Sequence, residues 1–319
     1  MSKLQRSNIY FLILVLLTIF LPEYLIKTYL LIGIKDIRVM QFLNHVILFL
    51  VPAIIYIIVT KVNIKETFRL NKIHLKDLLL IILISFVCYP LMGCISAISQ
   101  MFFTNNVGTF MAAIADTPYW AMLLLMAVTP AITEEVTLRG VVLSGYDNQS
   151  KFKAALITGV LFGIFHMDFQ QFLYAAVLGF IFAYIVRITN SIFASVIMHF
   201  IINGISVTAQ KVLFSAEELI SQVVEEPSLM DLSFNMKLTY MATYILVGVA
   251  FGVLVYKLIH KLEMWNIERQ GVTGEIGEAN YLRDVSDVSD KPKESVINWS
   301  FILIVVIYLA FMIYDVYIR

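Results

Sequence analysis

One apolar stretch indicates the fold of this chain: residues 120–142, WAMLLLMAVTPAITEEVTLRGVV, carry two adjacent glutamates and an arginine among aliphatic side chains. A charged side chain at the centre of a bilayer costs at least ~2.5–3.5 kcal/mol, so such residues usually face a bundle interior and carry function. Later apolar segments add two histidines and an asparagine. The candidate site residues are therefore Glu134, Glu135, Arg139, His166, His199 and Asn203.

The composition of the whole chain agrees with a membrane protein. Hydrophobic residues make up 60% of the 319 positions and charged residues only 14%. Soluble domains have about 45–50% apolar and about 25% charged residues. The net charge is zero, so no basic surface points to nucleic acid as a partner. We predict an all-α fold, a polytopic transmembrane helix bundle that forms a single domain over 1–319.

The number of spans follows from the length of each apolar segment, because a transmembrane helix needs about 20 mostly apolar residues. The sequence predicts eight or nine spans, at 9–33, 39–60, 78–103, 119–143, 152–167, 169–186, 190–210, 238–258 and 299–317. Residues 263–297 mix charges of both signs with glycine and serine, which is typical of a cytoplasmic loop.

The distribution of the 23 basic residues predicts the orientation. Lysines and arginines concentrate before the first span and after the even-numbered spans 39–60, 119–143 and 238–258. Cytoplasmic loops carry the excess of basic residues, so we expect a cytoplasmic N-terminus in the plasma membrane. The first apolar run lacks a small-residue cleavage site and is therefore expected to remain as a span.

Helical spacing predicts which polar side chains share a face. Glu135 and Arg139 are four residues apart and can form an ion pair along one face, whereas Glu134 points toward another helix. His199 and Asn203 have the same spacing and can enter one cavity together. The pair Gly159 and Gly163 would let the helix that carries His166 approach a neighbour closely.

These residue types suit peptide hydrolysis in a partly dry cavity. Glu134 could take a proton from water that His166 orients, while His199 and Asn203 could stabilise the oxyanion of an attacked amide. Glu134, His166 and His199 also form a set that could ligate zinc and leave a position open for water. The sequence leaves both mechanisms open, with zinc or no cofactor. Taken singly, each group also fits a structural ion pair or an interhelical hydrogen bond.

Three motifs occur in order along the chain. Residues 134–139 match E-E-x-x-x-R, residues 162–166 match F-x-x-x-H, and residues 199–203 match H-x-x-x-N. With these motifs, residues 119–206 resemble the catalytic core of the CAAX protease and bacteriocin-processing family (CPBP, or Abi), which are intramembrane endopeptidases. No H-E-x-x-H motif is present, so a zincin-type metalloprotease is not indicated.

The resemblance implies roles for the matching positions. Glu134 would activate water with help from His166, and His199 with Asn203 would form the oxyanion site. Glu135 and Arg139 would support these groups or orient the substrate. Expected partners are the bilayer and a peptide, membrane-protein or prenylated substrate. A non-catalytic membrane scaffold or immunity protein is the alternative function, and a proton-coupled transporter is a third, although no inverted repeat is visible.

Overall fold

The chain folds into apolar helices, as shown by a computed structural model that describes residues 1–220, 229–269, 271 and 294–317. The first helices are α1 (Lys3–Leu31), α2 (Ile37–His45), α3 (Val51–Thr60), α4 (Ile64–Thr67), α5 (Leu75–Gln100) and α6 (Asn106–Ala113). They are followed by α7 (Tyr119–Leu123), α8 (Thr129–Glu135), α9 (Lys151–Phe165), α10 (Phe169–Thr189), α11 (Ile192–Ile220), α12 (Phe234–Arg269) and α13 (Trp299–Tyr317).

Three π-helical segments connect some of these helices into longer rods. They are π1 (Val46–Leu50) between α2 and α3, π2 (Leu124–Val128) between α7 and α8, and π3 (Val136–Val142) after α8. A short 3₁₀ turn (Leu229–Asp231) precedes α12. Each of these joined helices, called a rod here, is continuous and apolar. Ile37–Thr60 and Tyr119–Val142 are therefore one candidate membrane span each.

The predicted fold class is confirmed for the described residues, which form an all-α, multi-pass membrane protein. All nine predicted segments are helical, and seven helices are long and apolar enough to cross a membrane. The segment predicted at 299–317 is a shorter apolar helix. The one predicted at 152–167 is α9, whose 15 residues extend only about 22 Å at 1.5 Å per residue. Helix α9 is therefore too short to span the bilayer.

The predicted loop 263–297 begins later than expected, because α12 continues to Arg269. Asn266 and Arg269 on its last turns donate hydrogen bonds to the buried carboxylate of Asp77, and these bonds hold α12 against the start of α5. Residues 270 and 272–293 of this loop lie outside the described residues.

Polar contacts tie the helix ends together at two opposite faces of the bundle. On one face, Asp147 forms an ion pair with Lys3 and with Arg69. On the other, Asn106 donates a hydrogen bond to Asp168 at 2.8 Å, and Arg38 pairs with Asp116 at 3.5 Å. The basic loops expected in the cytoplasm meet on the first face. Which face is cytoplasmic remains a prediction.

Candidate active site

A buried carboxylate, Glu135, joins α8 to α11. Its Oε1 atom lies 2.8 Å from a guanidinium nitrogen of Arg139 and 2.9 Å from Nδ1 of His199. The ion pair predicted from the four-residue spacing is therefore present. A carboxylate can only accept, so Nδ1 of His199 carries a proton and donates it to Glu135. The same oxygen of Glu135 thus binds Arg139, which follows α8 in the same continuous helix, and His199, which lies on α11.

The guanidinium of Arg139 is enclosed within the bundle. It lies 4.4 Å from the ring centre of Phe162 and 5.1 Å from that of Phe182, and it donates to the carbonyl oxygen of Gly179 at 3.3 Å. Cation–π contacts and hydrogen bonds compensate a desolvated guanidinium. Only 1% of Arg139 is exposed. This arginine is therefore placed to hold Glu135 and the aromatic rings, and a substrate could not reach it without displacing them.

Glu134 has a different environment from its neighbour. It is buried, with 8% of the residue exposed, and none of the described residues donates a hydrogen bond to its carboxylate. Its closest charged partner is His199, whose Nε2 lies 3.9 Å from Oε2 of Glu134. That separation exceeds a hydrogen bond. A buried carboxylate without a committed donor is available to a water molecule or a substrate.

His166 lies at the end of α9, where the chain turns into α10. Its Nδ1 donates to the carbonyl oxygen of Phe162 at 2.8 Å, so Nε2 is left as an acceptor in the neutral ring. The turn is held by Asp168, which caps α10 and binds Asn106. The short α9 thus ends inside the bundle, and this ending brings the F-x-x-x-H motif beside His199 through the ring of Phe162.

Close packing of α9 on α10 depends on the two glycines that the sequence singled out. A Cβ atom added to Gly163 would lie 2.7 Å from the carbonyl oxygen of Phe172, and one added to Gly159 would lie 2.7 Å from the backbone nitrogen of Phe180. Real Cβ atoms do not approach backbone this closely, so only glycine fits. The predicted close approach is confirmed, and it sets the position of His166.

Asn203 is directed at backbone rather than into an open cavity. Its Nδ2 donates to the carbonyl oxygen of Met126, within π2, at 3.1 Å. Pro130 stands four residues after Met126 and has no N–H for the α-helical bond to that carbonyl. Asn203 thus supplies a donor where the proline removes one. An amide nitrogen carries two hydrogens, so a second donor remains.

One residue near the site was missed by the sequence analysis. His45, at the end of α2, lies with its Nδ1 3.2 Å from the hydroxyl of Thr133, the residue before Glu134. Its ring is electrostatically coupled to Glu134, His166 and His199. An ionisable residue within the apolar segment 39–60 was the available signal, because such residues are usually functional.

A metal ion would need at least three ligating side chains close together. Among the described residues, no three His, Cys, Asp or Glu side chains are grouped so that they could hold a metal ion. The zinc set of Glu134, His166 and His199 is therefore not assembled in this arrangement.

Comparison with known proteins supports one family for this region. Residues 116–205 match the family described as "Type II CAAX prenyl endopeptidase Rce1-like". This segment is therefore similar to the CAAX proteases, and it is called the CAAX protease segment below for that similarity. It contains Glu134, Glu135, Arg139, His166, His199 and Asn203, so the resemblance drawn from the three motifs is confirmed.

A curated relative shares the same region. The CAAX protease segment is 30% identical over 90 residues to a protein of Bacillus subtilis (strain 168) named "Putative membrane peptidase YdiL". The alignment covers 28% of this chain and 37% of the relative, so it spans little more than a third of that protein's length. No solved structure matches the chain significantly.

Proposed function

We propose that this protein is an intramembrane endopeptidase in which Glu134 activates water. The observation that carries the proposal is the contrast between two adjacent buried carboxylates. Glu135 is committed to Arg139 and His199, whereas none of the described residues donates a hydrogen bond to Glu134, which faces Nε2 of His199 at 3.9 Å. A general base needs a free lone pair that water can reach. The second oxygen of Glu135, Oε2, has no partner but is fully buried, whereas Glu134 is 8% exposed.

The proposed reaction is hydrolysis of a peptide bond. Glu134 takes a proton from water while His166 holds the water, and the water oxygen forms a bond to the carbonyl carbon. The carbonyl π electrons move to oxygen. As the intermediate collapses, the C–N bond breaks and Glu134 returns the proton to the leaving nitrogen. The products are a carboxylic acid and an amine. The proton that Glu134 takes from water ends on the amine nitrogen, so Glu134 is regenerated.

Stabilisation of the oxyanion is assigned to α11. Because Nδ1–H of His199 is used by Glu135, His199 can donate to an oxyanion only when Nε2 is also protonated. Glu134, Glu135 and Arg139 together carry one net negative charge, and a protonated His199 would balance it in this buried cluster. The second hydrogen of the Asn203 amide is the other donor. Glu135 and Arg139 act as positioning residues.

The substrate is proposed by class only. The matched family and the named relative favour a peptide or membrane-protein substrate, with a prenylated C-terminal segment as one form of it. We propose that the enzyme acts in the plasma membrane with its N-terminus in the cytoplasm. A metal-free mechanism is proposed on the arrangement of the donors, with zinc as the competing possibility.

The test compares membrane-fraction proteomes of cells that carry wild-type protein or Glu134→Gln, followed by cleavage of the identified substrate with purified protein. We expect a substrate that accumulates uncut only in the variant, and a loss of turnover of about 10²–10⁴-fold, the usual contribution of a general base. Glu23→Gln is the matched control, because Glu23 forms an exposed pair with Lys27. Identical proteomes and normal cleavage by Glu134→Gln would favour a scaffold.

Metal dependence is tested in the same assay with a strong chelator. We expect wild-type turnover to persist after dialysis against 1,10-phenanthroline, because no three potential metal ligands are grouped among the described residues. Loss of turnover that zinc restores would contradict the metal-free mechanism while it left the protease assignment in place.

A further inference from the structure

We propose that His45 is a fourth acid–base residue of the active site and accepts a hydrogen bond from the attacking water. The inference rests on the proposed hydrolytic function and adds a residue that lies outside the matched segment 116–205. His45 is 88 positions from Thr133 in sequence, so only the packing of α2 against α8 brings it to Thr133, the residue next to Glu134.

The hydrogen bond to Thr133 fixes which ring nitrogen of His45 is free. The Thr133 hydroxyl donates its hydrogen to the carbonyl oxygen of Thr129 at 2.9 Å. It can therefore only accept at His45, so the neutral ring donates from Nδ1 at 3.2 Å and keeps a lone pair on Nε2. His166 shows the same pattern, with Nδ1–H committed to a carbonyl. Both rings thus present Nε2 as an acceptor.

A series of aromatic contacts links His45 to His166. The ring of His45 meets Phe49 edge-on at 5.1 Å, Phe49 contacts Phe165 at 4.8 Å, and Phe165 contacts His166 at 6.4 Å between ring centres. The titratable groups that act electrostatically on His45 are Glu134, His199 and His166. Ring contacts therefore run without a break from α2 to the end of α9.

The backbone around His45 resembles the backbone around the glutamates. Segment π1 begins directly after His45, and segments π2 and π3 flank α8, which carries Glu134 and Glu135. Single-turn π segments within helices are uncommon and are frequent at functional sites. In the described part of the chain they occur only on these two rods, which is independent support for a shared site.

The chemistry requires such an acceptor. Water has two hydrogens, and only one is transferred to Glu134. The second needs a neutral acceptor, because an unpaired O–H in a desolvated cavity is costly. The proposed reaction already gives that hydrogen to Nε2 of His166, and we assign Nε2 of His45 as a second acceptor that shares it. Replacement of both His45 and His166 should then lower kcat more than replacement of either one, and this comparison tests the shared role.

The first experiment does not depend on cleavage. Protein labelled with ¹⁵N-histidine, purified in detergent, is titrated by NMR, and the His45 signal is identified from its absence in His45→Gln. We expect the Nδ1–H tautomer and a titration midpoint that differs between wild type and Glu134→Gln. The midpoint of His260, which stacks on Tyr256 at 6.2 Å, is the control and should stay unchanged. Equal midpoints for His45 in both proteins would overturn its placement beside Glu134.

The second experiment measures kcat on a quenched fluorescent peptide in which a farnesylated cysteine is followed by a short C-terminal tail, and on the same peptide without the lipid. We expect His45→Phe to lower kcat by about 10²-fold, His45→Gln to retain part of it through its amide oxygen, and His45→Phe with His166→Phe to approach Glu134→Gln. His74→Phe, at an exposed position, is the control.

Normal turnover by His45→Phe in an assay where Glu134→Gln is inactive would overturn this inference and leave the proposed function intact. A coupled His45 in a protein that cleaves neither peptide would instead count against the proposed function.

Discussion

The imidazole of His199 donates to Glu135 at 2.9 Å and faces Glu134 at 3.9 Å, so one histidine distinguishes two adjacent carboxylates. The bonded carboxylate is an anchor for the ring. The non-bonded one is within reach of a water molecule that could lie between it and Nε2. This arrangement, in which Arg139 binds the same oxygen of Glu135 as His199, is the reason that we assign different roles to Glu134 and Glu135.

Replacement of Glu135 by glutamine should destabilise the protein. The change removes the anion that pairs with Arg139 at 2.8 Å and accepts from His199. Removal of one partner from a buried ion pair costs about 3–5 kcal/mol, because the other charge is left without compensation. Thermal melting of the purified protein should show a lower Tm for Glu135→Gln, partly restored by Arg139→Leu. A stable but inactive Glu135→Gln, with normal cleavage by Glu134→Gln, would show that the two roles are reversed.

Replacement of Asn203 by leucine should have two separable effects. It leaves the part-buried carbonyl of Met126 without its side-chain donor, which costs less than the ~1–3 kcal/mol of a fully buried group. It also removes an oxyanion donor, for which a loss of about 10²–10³-fold in kcat is usual. The added change Pro130→Ala returns a backbone N–H, so Asn203→Leu/Pro130→Ala should melt at a higher temperature than Asn203→Leu. Turnover should stay low in both. Normal turnover by Asn203→Leu would exclude it from the oxyanion site.

A single methyl group between α9 and α10 should disturb the site. In Gly163→Ala the new Cβ would lie 2.7 Å from the carbonyl oxygen of Phe172, so the helices must separate. Overpacking of this kind costs about 1–3 kcal/mol and would move His166. We expect a lower Tm and slower cleavage. Gly93→Ala is the matched control in another apolar helix, since nothing lies within 4 Å of its added Cβ. Equal behaviour of the two variants would contradict the predicted role of this packing.

Labelling of single cysteines should reveal the orientation. Asn148 and Lys35 are exposed at opposite faces of the bundle, and each would be changed to cysteine in a protein with Cys88 and Cys94 replaced by alanine. A membrane-impermeant maleimide added to intact cells should label Lys35→Cys, and should label Asn148→Cys only after permeabilisation. The reverse pattern would place the N-terminus outside and would leave the fold unchanged.

The sequence by itself was sufficient for the fold class and for the local part of the site. Apolar segments of membrane-spanning length predicted the helices, because every backbone polar group in hydrocarbon must be bonded within its own segment. The spacing of Glu135 and Arg139 predicted their ion pair, because residues four apart on a helix are neighbours whatever surrounds them. Gly159 and Gly163 of α9 predicted close packing because two residues without side chains, four apart on a helix, leave one face of that helix open to a neighbour.

Contacts between helices were decided only by the tertiary structure. Spacing along one helix does not fix how that helix is rotated against another, so the choice of Glu135 as the partner of Nδ1 of His199 was not predictable. The same is true of Asn203, whose amide binds a carbonyl that Pro130 leaves without its α-helical donor. His45 belongs to no motif and lies far from the glutamates in sequence. It reaches them because α2 packs beside α8, and that packing depends on the combined side-chain volumes of several helices rather than on any one segment.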